Sequence, residues 1–328
     1  MGKSISFYKM QHLGNDFIVF WLTDLLADYK HLFTADLSQW QSIARQLCQS
    51  KFGVGADGVI LLLDLDLIEK HNLKALATLF ATEYKAKYGF NLINKDGSIA
   101  EVSGNGLICS SKVILDKTTD SGSDPSNIMP FNILTSNRVI EIGVNTHGKF
   151  KVNLAIPEFD ENFTAELMTI INQQFDDYKS LYQFNCLSVT PVNTGNPHCV
   201  IELGDLNLKD SRQFQVLAQI GESIQRLSVF PQGVNVEFVS ILNKSEIALY
   251  VVERGCGPTL ACGSGACASC AAMLKIHPLV SPVTVSMPGG QVQVDWAKQA
   301  DSHVCLIGYP QTVFLGSVDI SCLQSTKC

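Results

Sequence analysis

The motif Gly-x-Gly appears twice at the head of a stretch that can wind into an apolar helix. One copy lies in residues 101–115 (EVSGNGLICSSKVIL) and the other in residues 260–274 (LACGSGACASCAAML). In each, a small side chain bearing oxygen or sulfur stands just before the first glycine: Ser103 in one copy, Cys262 in the other. Such an echo between the two halves of a chain points to duplication and to two pseudo-symmetric domains.

Each half surrounds its Gly-x-Gly helix with many short strand signals. The opening residues alternate apolar and polar side chains around a turn at HLGND. Helical spacing follows over residues 36–50, with Asp36 or Ser38 as the N-cap, and again over residues 68–88. FNLIN is a short strand, and NILTSNRVIEIGVNTHGKFKVNLAI is a meander. In the second half, LSVTPVNTGNPHCVIEL is strand–turn–strand and DSRQFQVLAQIGESIQRL is a helix. GVNVEFVSILNKSEIALYVVERG is a hairpin turning at NKSE, and further strands close the chain. Few helices among many strands imply an α+β fold with mostly antiparallel sheet. The boundaries expected are 1–148 for the first domain and 149–310 for the second, with 311–328 a strand returning to the first. The composition of residues 118–129 is that of a loop.

With 46% hydrophobic and 17% charged residues, the composition is globular. A formal charge of −7 with no Lys/Arg block speaks against a nucleic-acid groove or an anionic membrane as partner. No apolar run is long enough for a membrane span, and the first residues read as a strand rather than a signal peptide. A cytoplasmic location is therefore expected, where the 11 cysteines would be free thiols, most of them small buried hydrophobes.

Three readings of the paired helices are open. The glycines could simply let the chain turn sharply into a buried helix. Either helix start could bind phosphate, but neither copy completes a P-loop or a G-x-G-x-x-G pattern. Thirdly, two helix starts facing one pocket would bind a carboxylate through backbone N–H groups and lower the pKa of a cysteine there. A base on each side of a bound amino acid could then take the α-proton from one face and return one to the other. Cys267 and Cys270, with Cys256 and Cys262 nearby, also have partial zinc-site spacing, but no second Cys/His pair flanks them and ACASCAAML reads as a small-residue core helix.

Six motifs, two of them containing the Gly-x-Gly segments, carry a family resemblance. KMQHLGNDFIV, GVGADG, NKDGSIAEVSGNG, NTGNPHCV, FPQGVNVEFV and ERGCGPTLACGSGA follow one another in the order found in the diaminopimelate epimerases. The chain resembles that family from end to end. The resemblance implies two domains, each a mostly antiparallel sheet or barrel around a central helix, with the active site in the interdomain cleft. It implies a homodimer, and a reaction that needs neither cofactor nor metal: interconversion of LL- and meso-diaminopimelate by two-base proton transfer. Carried over by position, Cys262 is one base and Ser103 stands at the position of the other. Gly104, Asn105, Gly263 and Ser264 would cradle the reacting α-carboxylate, and Glu253 would engage the amine. Asn94, Asn196, Asn235 and Arg254 would read the distal end, and Asn15 would line the same cleft. His198 reads as a turn-packing residue.

The central departure from the family is Ser103 in place of its cysteine. A hydroxyl is a far weaker acid than a thiol, so impaired turnover is expected, whether the serine is introduced or natural. A broader amino-acid racemase on the same scaffold, and a non-catalytic amino-acid-binding protein, are the alternatives. Leu107–Ile108 also replaces the family's usual arginine-containing pair, and residues 64–88 form an insertion expected to lie outside the cleft.

Overall fold

The computed structural model describes residues 4–24, 37–67, 86–100, 102–119, 128–136, 138–178 and 180–319. The chain divides into two compact units, Met1–Val152 with Gly308–Cys328, and Asn153–Ile307.

The first unit opens with a hairpin of β1 (Ser4–His12) and β2 (Asn15–Trp21). Its two turn residues, Leu13 and Gly14, both have positive φ (55° and 82°), which matches a tight turn to the strand twist. Helix α1 (Leu37–Leu47) leads to β3 (Gly58–Asp64), which runs parallel to β2. β4 (Tyr88–Asn94) returns antiparallel to β3 and pairs with the short β5 (Ile99–Ala100). Helix α2 (Gly104–Thr118) follows and packs on β1, β2 and β3. β6 (Phe131–Leu134) is parallel to β4, and β7 (Val139–Val144) and β8 (Phe150–Ala155) extend an antiparallel meander.

The second unit repeats this order. After β9 (Glu158–Phe159) and helix α3 (Glu161–Asp177) comes the hairpin β10 (Cys186–Asn193) and β11 (Pro197–Leu203). Helix α4 (Ser211–Gln225) leads to β12 (Asn235–Asn243), parallel to β11. β13 (Glu246–Glu253) is antiparallel to β12 and pairs with the short β14 (Gly257–Thr259). Helix α5 (Gly263–Ile276) packs on β10, β11, β12, β13, β15 and β16. β15 (Val283–Met287) is parallel to β13, and β16 (Gly290–Asp295) and β17 (Val304–Gly308) complete the meander. Finally β18 (Gln311–Asp319) pairs with β1.

The duplication thus holds element by element, and the sheets are mixed rather than purely antiparallel. Each parallel pair follows from a connection through a helix, since a crossover is what lets two parallel strands be joined. Residues 36–50 were expected as one helix; α1 ends at Leu47, Ser38 lies inside it, and Asp36 is outside the described residues. The expected helix over 68–88 and loop over 118–129 fall mostly outside them too, although Tyr88 is a strand residue and Thr118 ends α2. Helix α3 has no expected counterpart in the sequence reading. Its signals are an Asp160 N-cap accepting from the Phe163 N–H and buried Leu167, Ile171 and Phe175 spaced four apart.

Both units have apolar cores beneath their outer helices. In the first, Trp40 of α1 faces Phe20 at a ring separation of 5.5 Å among Ile18, Ile43, Leu61 and Leu63. In the second, Leu217, Ile220 and Ile224 of α4 lie on Phe238, Tyr250 and Val252. Gly221 brings α4 close to β13: a Cβ there would stand 2.6 Å from a Val252 methyl. Gly221→Ala should therefore cost about 1–3 kcal/mol through overpacking. Urea unfolding checks this, and an unchanged midpoint would contradict so close an approach.

Candidate functional site

The two Gly-x-Gly segments begin their helices in the same way. Ser103 is the N-cap of α2, with φ −138° and ψ 116°, and its Oγ accepts from the Gly106 N–H at 3.0 Å. Cys262 is the N-cap of α5, with φ −127° and ψ 118°, and its Sγ accepts from the Gly265 N–H at 3.4 Å. Both helices are buried on most sides, so their unpaired first N–H groups need partners, and a side chain at the cap supplies one.

Around α2, Asn105 is buried and its Oδ1 faces His12 Nδ1 at 2.8 Å. Burial lowers the pKa of His12, against the raising effect of the Asn105 hydrogen bond, so the ring is neutral and Nδ1 donates. The NH₂ group of Asn105 remains for another acceptor. Beside the turn of the same hairpin, Asn15 Nδ2 donates to Asp57 Oδ2 at 2.6 Å. Asp16 and Asp57 exchange backbone-to-carboxylate hydrogen bonds at 3.1 Å each. Lys9, only 6% exposed, pairs with Asp16 at 2.5 Å and donates to the Gly55 carbonyl. Asn94 pairs across the sheet with Gly58 and donates to the Ser98 hydroxyl at 2.9 Å. The first unit thus gathers Asn15, Asn94, Ser103, Gly104 and Asn105 at one end of its sheet.

The second unit gathers the remaining expected residues. The Cys262 thiol lies 3.4 Å from Ser264 Oγ, and the Glu253 carboxyl group is near enough to interact with it electrostatically. Glu253 Oε1 accepts from the Thr259 hydroxyl at 2.5 Å. Asn235 Oδ1 takes the Arg254 N–H at 2.9 Å and its Nδ2 reaches the Pro197 carbonyl at 3.2 Å, tying the ends of β11, β12 and β13 together. Arg254 is exposed, with its guanidinium donating to the Gln232 carbonyl. Asn196 Oδ1 meets His198 Nε2 at 2.9 Å, and His198 Nδ1 meets Glu237 Oε1 at 2.7 Å. Of the other cysteines considered for a metal, Cys267 and Cys270 are buried along α5 and Cys256 is exposed. Among the described residues, no group of three or more His, Cys, Asp or Glu could hold a metal ion.

The expected lowering of the Cys262 pKa is not found. Burial raises it, and the charge of Glu253 raises it further, with Glu237 adding to the effect. The Ser264 hydroxyl and the Gly265 N–H oppose this but do not overcome it. A helix start does favour a thiolate, but here it faces two carboxyl groups instead of an electropositive pocket. Burial also raises the pKa of Glu253. The resting site therefore holds a protonated thiol beside a carboxyl group that itself tends to keep its proton. Both ring nitrogens of His198 are engaged, Nε2 by Asn196 and Nδ1 by Glu237. His12, Asp57, Thr259 and Glu237 lie within KMQHLGNDFIV, GVGADG, ERGCGPTLACGSGA and FPQGVNVEFV, but no spacing in those motifs tells which residues they partner. The second copy's match to the first could have pointed to Thr259, which stands in register where Ala100 stands in the first unit.

Comparison with known proteins identifies the family. The family model for diaminopimelate epimerase matches residues 190–313. Over 316 residues the chain is 32% identical to the diaminopimelate epimerase of Trichodesmium erythraeum, covering 95% of this chain and 99% of that one. The chain belongs to the diaminopimelate epimerase family. A Synechococcus diaminopimelate epimerase is 33% identical over 322 residues, with 97% and 99% covered. The chloroplastic diaminopimelate epimerase of Oryza sativa subsp. japonica is 30% identical, with 96% of this chain and 80% of that one covered. Among solved structures, a Bacillus anthracis phenazine biosynthesis protein of the PhzF family aligns with a TM-score of 0.63 at 13% identity, covering 96% and 99% of the two chains. An Agrobacterium vitis hydroxyproline epimerase with bound trans-4-hydroxy-L-proline aligns at 0.60 and 14% identity, covering 97% and 94%. These two show the fold that diaminopimelate epimerases share with more distant proteins.

The His12–Asn105 contact makes a stability prediction. Because the folded-state pKa of His12 lies below 6.5, the unfolded chain takes up the proton first as pH falls. This contribution is complete above the unfolded value and declines as the solution is acidified through it. His12→Gln, which keeps a donor for Asn105, should flatten the fall in melting temperature between pH 7 and pH 5 relative to the parent. Parallel curves for the two proteins would refute a buried neutral ring.

Proposed function

We propose that the chain acts on diaminopimelate, interconverting the LL and meso isomers without a cofactor, and that Ser103 slows this reaction. The observation that carries the reading is the matched pair of helix caps, one bearing a thiol beside a carboxyl group and the other a hydroxyl. In this reading the α-carboxylate lies against the starts of α2 and α5, where Gly104, Asn105, Gly263 and Ser264 offer N–H, amide and hydroxyl donors. Ser103 and Cys262 serve opposite faces of the α-carbon. An ammonium group beside Glu253 favours its ionised form, and that carboxylate can then accept the Cys262 proton. The thiolate so formed takes the α-proton of the meso isomer, while the Ser103 side must act on the LL isomer. Asn94, Asn196, Asn235 and Arg254 read the distal amino-acid end, and Asn15 lines the same site. Excluding water around the bound ligand strengthens each of these interactions on the developing carbanion.

A homodimer is part of the same proposal. In support, β18 pairs with β1 and carries the exposed apolar residues Val313 and Leu315 (54% and 68%), and an apolar edge strand of this kind invites a second copy. Leu315→Lys should lower the mass measured by light scattering to that of a single chain. A parent that already runs as a monomer would overturn this part.

The chemical reading is tested by turnover of both isomers and by exchange of the α-hydrogen with deuterated solvent. Ser103→Cys should raise turnover by orders of magnitude, because a thiol supplies a general base of suitable pKa where a hydroxyl does not. Full turnover by the parent would defeat the two-base account. Tight binding with no exchange, unchanged by Ser103→Cys, would instead favour a non-catalytic binding protein, which the lost cysteine also fits.

A further inference from the structure

The pair formed by His198 and Glu237 is fully buried, with both side chains 0% exposed. Glu237 projects from β12, where it pairs with Val200 of β11, and its Oε2 has no hydrogen-bond partner. The start of α5 presses on it: a Cβ at Gly265 would lie 2.9 Å from Glu237 Oε1. So much buried polarity needs a reason, because a buried ion pair is often no better for stability than a well-packed apolar pair.

The first unit provides the comparison. There Phe17 pairs with Gly58, as His198 pairs with Asn235 in the second unit. Two residues further along each strand, Ile60 stands where Glu237 stands. Phe17 and Ile60 are 2% and 0% exposed. The same strand pair is thus built with apolar side chains in one unit and with an imidazole and a carboxyl group in the other. Folding this topology does not require the polar pair.

What the pair does can be read from its protons. Asn196 Oδ1 can only accept, so His198 Nε2 must carry a hydrogen. A bare Nδ1 facing a carboxylate at 2.7 Å would set two lone pairs against each other, so a second proton lies between Nδ1 and Oε1. The pair is then neutral as a whole, which suits its burial. With Nδ1 satisfied in this way, Nε2 is held as the donor. Asn196 must therefore present its oxygen to the ring and its NH₂ group on the other side. His12 does the same for Asn105 in the first unit through Nδ1.

We propose that Glu237 is a positioning residue: it sets the tautomer of His198, which orients the Asn196 amide so that its NH₂ group faces the ligand. The proposal rests on the reading that Asn196 binds the distal end of the substrate. Without Glu237, the ring is free to exchange tautomers. A bare Nε2 would accept from Asn196, turning its amide by half a rotation and presenting an oxygen where a ligand carboxylate needs a donor.

The test uses the whole protein with ¹⁵N-labelled histidine, with His198 assigned through His198→Gln. In the parent, the imidazole ¹⁵N shifts should show a protonated Nε2, and a bare Nε2 would overturn the proposal outright. Glu237→Gln can donate its amide hydrogen to Nδ1, so it should keep the Nε2 proton and bind diaminopimelate within about threefold of the parent by calorimetry. Glu237→Met should give mixed tautomers and weaken binding about tenfold or more. A Met variant that loses thermal stability but binds as the parent does would show a purely structural role and refute the assignment. If that variant fails to fold, the parent spectrum and the Gln variant still decide. A parent that shows the expected tautomer but binds no diaminopimelate would count against the substrate reading and leave the tautomer assignment standing.

Discussion

A helix buried on nearly every side cannot leave its first N–H groups without partners, and this constraint shapes both halves of the molecule. Helices α2 and α5 each begin among buried strands, with a side chain accepting from the third residue of the helix. The cap takes only one of the free N–H groups. Those that remain are free to meet a carboxylate, so the same turn can serve both the structural requirement and the binding role proposed for it. The third helix residue has to be glycine for room: a Cβ at Gly106 would crowd the Ser103 side chain at 3.2 Å, and one at Gly265 would stand 2.9 Å from Glu237 Oε1.

The duplication makes this constraint informative. Both units share the order of strands, the parallel and antiparallel pairings and the cap geometry, so differences between them mark where the halves have taken different tasks. Asn94 and Glu253 end corresponding strands, and one is an amide where the other is a carboxyl group. Phe17 and Ile60 correspond to His198 and Glu237. Ser103 and Cys262 are the sharpest case, because they share a conformation and differ in acidity.

Electrostatics at the second cap run against the simplest expectation for a reactive cysteine. Desolvation and two neighbouring carboxyl groups hold the Cys262 proton in place, and a single helix start does not reverse that. On the proposed reading Cys262 is a base that is protonated at rest, and the ligand has to complete it. An ammonium group of the ligand does this on that reading, because it favours ionised Glu253, which can then accept the thiol's proton. The charge balance of the site is thereby tied to its occupancy.

How much of this was legible beforehand differs by element. The repeated Gly-x-Gly segments, the hairpins at HLGND and NKSE and the helix preceding β12 could all be read locally, since turn residues and apolar spacing act over a few positions. The roles proposed for the asparagines, Glu253 and Cys262 rest only on motifs in a familiar order. Helix α3 was overlooked although its cap and its four-residue spacing are plain in the sequence. By itself, then, the sequence determined the duplicated architecture and the identities of the capping residues, because both are written in short-range patterns. Tertiary structure alone decided the parallel pairings, the partnering of His12 with Asn105 and of His198 with Glu237, and the direction in which the thiol's acidity moves. Those depend on residues far apart in the chain and on how deeply the fold removes them from water.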